Sequence, residues 1–116
     1  MSATLDTIII TRKTSFKETL TFLQGPDDDP YNLLVFDEIK MDVRRSPNRN
    51  SELVFSGSTS TGELTVLDNI LEVRFTPDKT DVKAGEYYRD FRFRDGSDEF
   101  VICSGKVKVL ENITVI

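Results

Sequence analysis

Apolar and polar residues alternate with a period of two along most of the chain, the spacing of strands that bury one face. Ile8 and Ile10 alternate with Thr7, Ile9 and Thr11, and Phe16, Leu20 and Phe22 share a face opposite Lys17, Thr19 and Thr21. Glu18 falls on the apolar side of that second run, which puts it near an open end or marks a break in register. Ile39, Met41 and Val43 alternate with Lys40, Asp42 and Arg44, a strand with one buried face. Leu53-Val54-Phe55 begins a further strand. Leu64 and Val66 run into Asp68-Asn69, and Leu71, Val73 and Phe75 return, so this pair predicts a hairpin. Tyr87, Phe91 and Phe93 mark the most aromatic strand, and Asp95-Gly96 turns it into a strand from Phe100 to Ser104. Gly105 interrupts the pattern as a bulge or bend does, and Val107 and Val109 carry a last strand.

The connections are equally legible. Gly25-Pro26-Asp27-Asp28-Asp29-Pro30 brackets three like charges with two prolines and predicts an irregular loop. Leu33 to Phe36 is either the lead-in to the next strand or one turn packed under the sandwich. Arg45 to Asn50 reads as a polar turn, and Ser56 to Gly62, small and polar throughout, as a flexible connection. Asp78 to Lys83 has room for a single helical turn, and nowhere does helical spacing persist long enough for a helix. About eight short strands at roughly 8–12-residue spacing predict an all-β fold, an antiparallel sandwich. Residues 1–116 suffice for one such domain.

Composition narrows the chemistry. There is no histidine, which removes the commonest general base and metal ligand. The formal net charge of −5 repels a phosphate backbone, so no nucleic-acid partner is expected. With no apolar run of membrane length, and no basic and apolar leader in MSATLDT, neither a membrane span nor secretion is expected. Cys103 is the sole cysteine, so no internal disulfide forms, and its place in a strand marks it as a small core residue and not a nucleophile.

Asp27-Asp28-Asp29 with Asn32 offers oxygen ligands but lacks the spacing and bidentate Glu of a calcium loop, so it reads as a solvated charge run. Arg89, Arg92 and Arg94 with Arg44 and Arg45 would line one basic face. Strand parity puts Tyr88, Asp90, Arg92 and Arg94 on one side, a mixed surface suited to a polar interface, sugar stacking or plain solvation. Tyr88, Arg92 and Arg94 are its candidate contacts. Asn112-Ile113-Thr114 matches a glycosylation sequon with no leader to bring it to the enzyme. Ile113, Val115 and Ile116 are apolar and β-prone, a candidate assembly edge. No catalytic, cofactor-binding or metal-ligating constellation stands out, so no enzyme activity and no cofactor are expected.

Asp81-Val-Lys-Ala-Gly-Glu-Tyr87 has the layout of a tyrosine corner, in which a tyrosine at the start of a strand turns its hydroxyl onto backbone a few residues upstream. Asp81 would fix the turn, Ala84-Gly85 would let the chain pass close beneath, and Tyr87 would supply the hydroxyl. The plainer alternative is an amphipathic core tyrosine at a strand end. Such corners belong to Ig-like sandwiches. Two residues later, where antibody domains place a cysteine, this sequence has Arg89, so an Ig-like fold here would lack the intersheet disulfide.

The order of motifs resembles a family of small phage virion domains. Ile9-Ile10-Thr11-Arg12 with Ser15-Phe16-Lys17-Glu18-Thr19-Leu20-Thr21-Phe22 matches their opening strand pair, and Ile39 to Arg44 their next strand. Leu71 to Phe93 matches an L-x-V…T-P-x-x-T…A-G-x-Y-Y-x-D stretch, and Asp95-Gly96 with Gly105 to Val109 matches the closing hairpin and strand. Together these resemble the Ig-like N-terminal domain of phage baseplate upper proteins and related tail, neck or fibre-attachment proteins. Lys13-Thr14 departs from the R-G-D-S or R-G-D-T of many relatives, and the baseplate relatives continue into receptor-binding regions. The resemblance implies a virion structural protein made in the host cytoplasm, an adaptor, collar or capsid-decoration protein. Its expected partners are portal, tail, fibre or capsid proteins and further copies of itself in an oligomer or ring. A carbohydrate- or host-surface-binding module using Tyr31, Tyr88 and the acidic loop is the alternative.

Overall fold

A computed structural model describes residues 3–48 and 50–111. The strands are β1 (Ala3–Thr4), β2 (Ile8–Thr11), β3 (Phe16–Thr21), β4 (Leu23–Gln24), β5 (Asp29–Pro30), β6 (Glu38–Arg44), β7 (Leu53–Ser58), β8 (Leu64–Leu67), β9 (Ile70–Phe75), β10 (Gly85–Asp95) and β11 (Asp98–Leu110). One sheet runs β1-β11-β10-β6-β7, with β2 also on β11, and faces a second of order β3-β9-β8. The ladders are antiparallel except where β1 and β2 lie parallel to β11. This is the Ig-like arrangement, with β3, β9 and β8 in one sheet and β6, β10 and β11, flanked by β7, in the other.

Alternation builds the core. Ile39, Met41 and Val43 from β6, Phe91 and Phe93 from β10, and Val107 and Val109 from β11 meet Leu71, Val73 and Phe75 from β9, all buried. Leaving water stabilises each such side chain by roughly 1.5–3 kcal/mol. Phe93 takes Phe22 and Phe36 edge-on at centroid distances of 5.6 and 4.9 Å, and Phe55 meets Phe75 likewise at 5.2 Å. Leu33–Val35 forms one 3-10 turn, the second of the alternatives for that run, capped by the Asn32 side chain accepting from Leu34 N–H at 3.0 Å.

Four local expectations are corrected. The Gly25–Pro30 stretch is not wholly irregular, because Leu23 and Gln24 pair with Pro30 and Asp29 in a small hairpin. Pro30 fits there because a two-residue ladder needs few of its N–H groups. Ser56 to Ser58 continue β7 instead of opening a flexible connection. They are held by register with β6, and a Cβ on Gly57 would come within 2.7 Å of the Phe75 ring, so the sheets close there only over glycine. Phe100 to Val109 is one strand, and the bulge lies opposite Phe91/Arg92 instead of at Gly105. Gly105 stays in register because its missing Cβ admits the Leu5 backbone, whose carbonyl would otherwise lie at 3.1 Å.

Glu18 meets neither of its two expected fates. Its strand keeps register with β9 from Phe16 to Thr21, and its side chain points between the sheets to meet Arg89. Arg89 Nη1 and Nη2 donate to the two carboxylate oxygens at 2.5 and 3.1 Å, a bidentate fork. The Arg89 side chain is 1% exposed and that of Glu18 16%, and the guanidinium lies 5.4 Å from the Phe91 ring centroid. An ion pair therefore joins the two sheets where antibody domains place their disulfide.

Candidate interaction face

The outer face of the larger sheet is set by the β6–β10 register, which opposes Tyr88 to Arg44, Asp90 to Asp42, Arg92 to Lys40 and Arg94 to Glu38. Two carboxylates directly opposite each other repel. Arg92 resolves the conflict, with its Nε 3.4 Å from both Asp42 and Asp90 and its Nη1 3.0 Å from Glu99. Arg44 Nη2 and Lys40 Nζ approach Asp42 at 3.2 and 3.7 Å. Asp42 is thus only 3% exposed, although it lies on the outward side, because three cations close over it. Burial opposes the Arg92 charge, yet hydrogen bonding to Glu99 and the fields of Asp90 and Asp42 raise its pKa above the ordinary arginine value.

Beside this cluster lies a cleft of about 150 Å³ lined by Asp42, Arg44, Tyr88, Asp90, Ser104 and Lys106. Asp42 Oδ1 and Arg44 Nε are buried and make no hydrogen bond among the described residues. Asp42 Oδ1 faces Lys40 Nζ at 3.7 Å, and it and Arg44 Nε are closed off from solvent.

Tyr88, Arg92 and Arg94 share this face as strand parity predicts, with Arg94 exposed at its far end. The five-arginine basic face does not form. Arg89 points into the core, and Arg45 pairs with Glu52 at 3.0 Å and lies 5.8 Å from the Tyr87 ring. Alternation alone assigns Asp42 to the polar side of β6 and gives it no role. The signal for it is the pair Lys40 and Arg44, two residues to either side and hence on the same face.

The corner forms, with the Tyr87 hydroxyl donating to the Lys83 carbonyl. Its supports differ from expectation. Asp81 accepts from Arg12 Nε at 2.9 Å instead of fixing the turn, which Thr80 anchors by donating to the Thr14 carbonyl at 2.6 Å. Gly85 serves by its backbone, at φ +154°, since a Cβ there would meet nothing within 4 Å. Cys103 is buried, and burial pushes its thiol up to about 12 against the opposing field of Arg89, so it is not a thiolate nucleophile. The acidic residues 27–29 are exposed around the β4–β5 hairpin. Ile113, Val115 and Ile116 lie outside the described residues.

No family profile matches this sequence, and no curated protein does. Among solved structures the chain is similar to a marsupial T cell receptor, with a TM-score of 0.51 and 14% identity over 94% of this chain and 51% of that one. This chain thus spans about half the length of that one, and at such identity the likeness concerns the fold alone. Together with the sheet order and the tyrosine corner, it makes this chain an Ig-like β-sandwich without a disulfide.

Proposed function

We propose that this chain is a non-enzymatic structural protein of a tailed-phage virion, joining portal, tail, fibre or capsid proteins and further copies of itself through its sheet face, edges and loops. The motif order quoted from its sequence supports the virion setting. The observation that carries the docking role is the outer face around Asp42. Immobilising a long side chain on binding costs roughly 0.5–1.5 kcal/mol. Arg92 and Arg44 are already held, by Asp42, Asp90 and Glu99, so this face meets a partner with its charges in place. Interspersed charges of both signs favour a complementary protein surface over a polyanion. Mass spectrometry of particles purified from the encoding phage is expected to return this chain in fixed ratio to the capsid protein. Intact particles without it would contradict the reading.

The cleft beside Tyr88 favours a second reading, a carbohydrate-binding module. The cleft sets the Tyr88 ring beside the polar side chains of Asp90, Ser104 and Lys106, groups that exchange hydrogen bonds with sugar hydroxyls. Glycan-array binding lost in Tyr88→Ala would favour it, and an unchanged array would remove it.

A further inference from the structure

At the end of the sandwich remote from the tyrosine corner, the two sheets leave an open apolar groove of about 480 Å³, lined by Leu5, Leu20, Phe22, Leu23, Phe93 and Ile102 among others. Along one side runs β11. Its edge away from β10 pairs with β1 at Cys103 and Ser104 and with β2 from Val107 to Leu110, while the described residues put no strand beside Asp98–Ile102. Leu23 in the groove wall and Phe100, opposite Phe93, are 51 and 47% exposed. Among the described residues this leaves an unpaired strand edge beside an apolar trough, the features by which a sheet accepts an added strand.

The same chain contains a segment of matching chemistry. Ile113-Thr114-Val115-Ile116 is apolar and β-branched, and alternation would turn Ile113 and Val115 to one side. Its point of departure is fixed. Arg12 N–H donates to the Leu110 carbonyl at 2.8 Å, and Arg12 Nη1 holds Glu111 at 3.2 Å. That anchor lies at the opposite end of β11 from the groove. Leu110 is eight residues from Ile102, about 26 Å at strand rise, and the segment would also have to reverse direction. Residues 112–116 extend at most about 18 Å. The segment therefore cannot fill the groove of its own chain.

We propose that residues 113–116 of one copy dock as an added strand along Asp98–Ile102 of a second copy, with Ile113 and Val115 in its groove. The proposal rests on the assembly reading above and specifies its self-contact. The test uses the full chain and the variant Ile113→Asp/Val115→Asp. Light scattering over a concentration series is expected to show the native chain associating and the variant doing so at least roughly tenfold more weakly. A synthetic peptide of residues 111–116, added to the isotope-labelled variant, is expected to shift the resonances of Leu20, Leu23, Ile102 and Cys103. A native chain that stays monomeric, a variant that associates as well as the native chain, or a peptide that shifts other resonances or none would each overturn the proposal. Association that survives the variant would leave the assembly reading standing through another surface. Absence from particles would remove that reading separately.

Discussion

Glu18 and Arg89 sit at inward-facing positions on facing strands, and each would be costly alone. Breaking a buried pair by removing one partner leaves an uncompensated charge, at about 3–5 kcal/mol. Arg89→Met is therefore expected to lose that much in urea unfolding. Glu18→Leu/Arg89→Met, which removes both charges, is expected to return to native stability or exceed it. A double variant as unstable as the single one would show that the forked geometry, and not charge compensation, holds the sheets. Tyr87→Phe, which removes only the corner hydroxyl, is expected to cost about 1 kcal/mol by the same measurement. The corner was legible because its residues lie within seven positions of one another. The ion pair was not. Glu18 was visible as a conflict of parity and Arg89 as an unexpected substitute for cysteine, but 71 positions separate them, and strand-by-strand reading pairs no residues across sheets.

At the scale of elements, alternation identified the principal strands, and the errors fell where backbone geometry or a third segment decides. Gly57 looked like part of a loose polar linker because Ser, Thr and Gly signal turns. In the fold it is the point where β7 passes against Phe75 and the Glu63 stem, at 2.7 and 2.6 Å from an added Cβ. Gly57→Ala is expected to destabilise by about 1–3 kcal/mol, read from the denaturation midpoint, because the Phe75 ring is buried and cannot yield freely. The turn after β7 is fastened by Glu63, which accepts from the Thr61 hydroxyl and, at 3.3 Å, from Ser58 N–H. Burial pushes its carboxyl up, but these hydrogen bonds and nearby Lys79 outweigh it, so its pKa falls below 4.5. The folded state therefore favours the carboxylate. That stabilisation is complete above the unfolded value and is lost as pH falls through the lowered folded one. Glu63→Gln is expected to be less stable than the native chain at neutral pH, with the difference shrinking on acidification below about 4.5. A gap that stays constant with pH would contradict this.

The whole molecule carries a net charge of −5, yet one sheet face concentrates Lys40, Arg44, Arg92, Arg94 and Lys106 among fewer acids. Parity put Tyr88, Arg92 and Arg94 on that face from sequence alone. Its organising residue, Asp42, has only the flanking Lys40 and Arg44 as a signal in the sequence, and its place opposite Asp90 needs the register that sets β6 beside β10. The apolar groove was illegible for the same reason, since its lining comes from β3, β4, β10, β11 and connections such as Leu5, Phe22 and Leu33, and no single stretch of sequence contains it. Cross-linking mass spectrometry on intact particles tests the docking claim most directly, because Lys40 and Lys106 both present amines on the charged face. The account predicts cross-links from these two lysines to another virion protein in assembled particles. Particles that contain the chain but cross-link it only through lysines away from that face would contradict it.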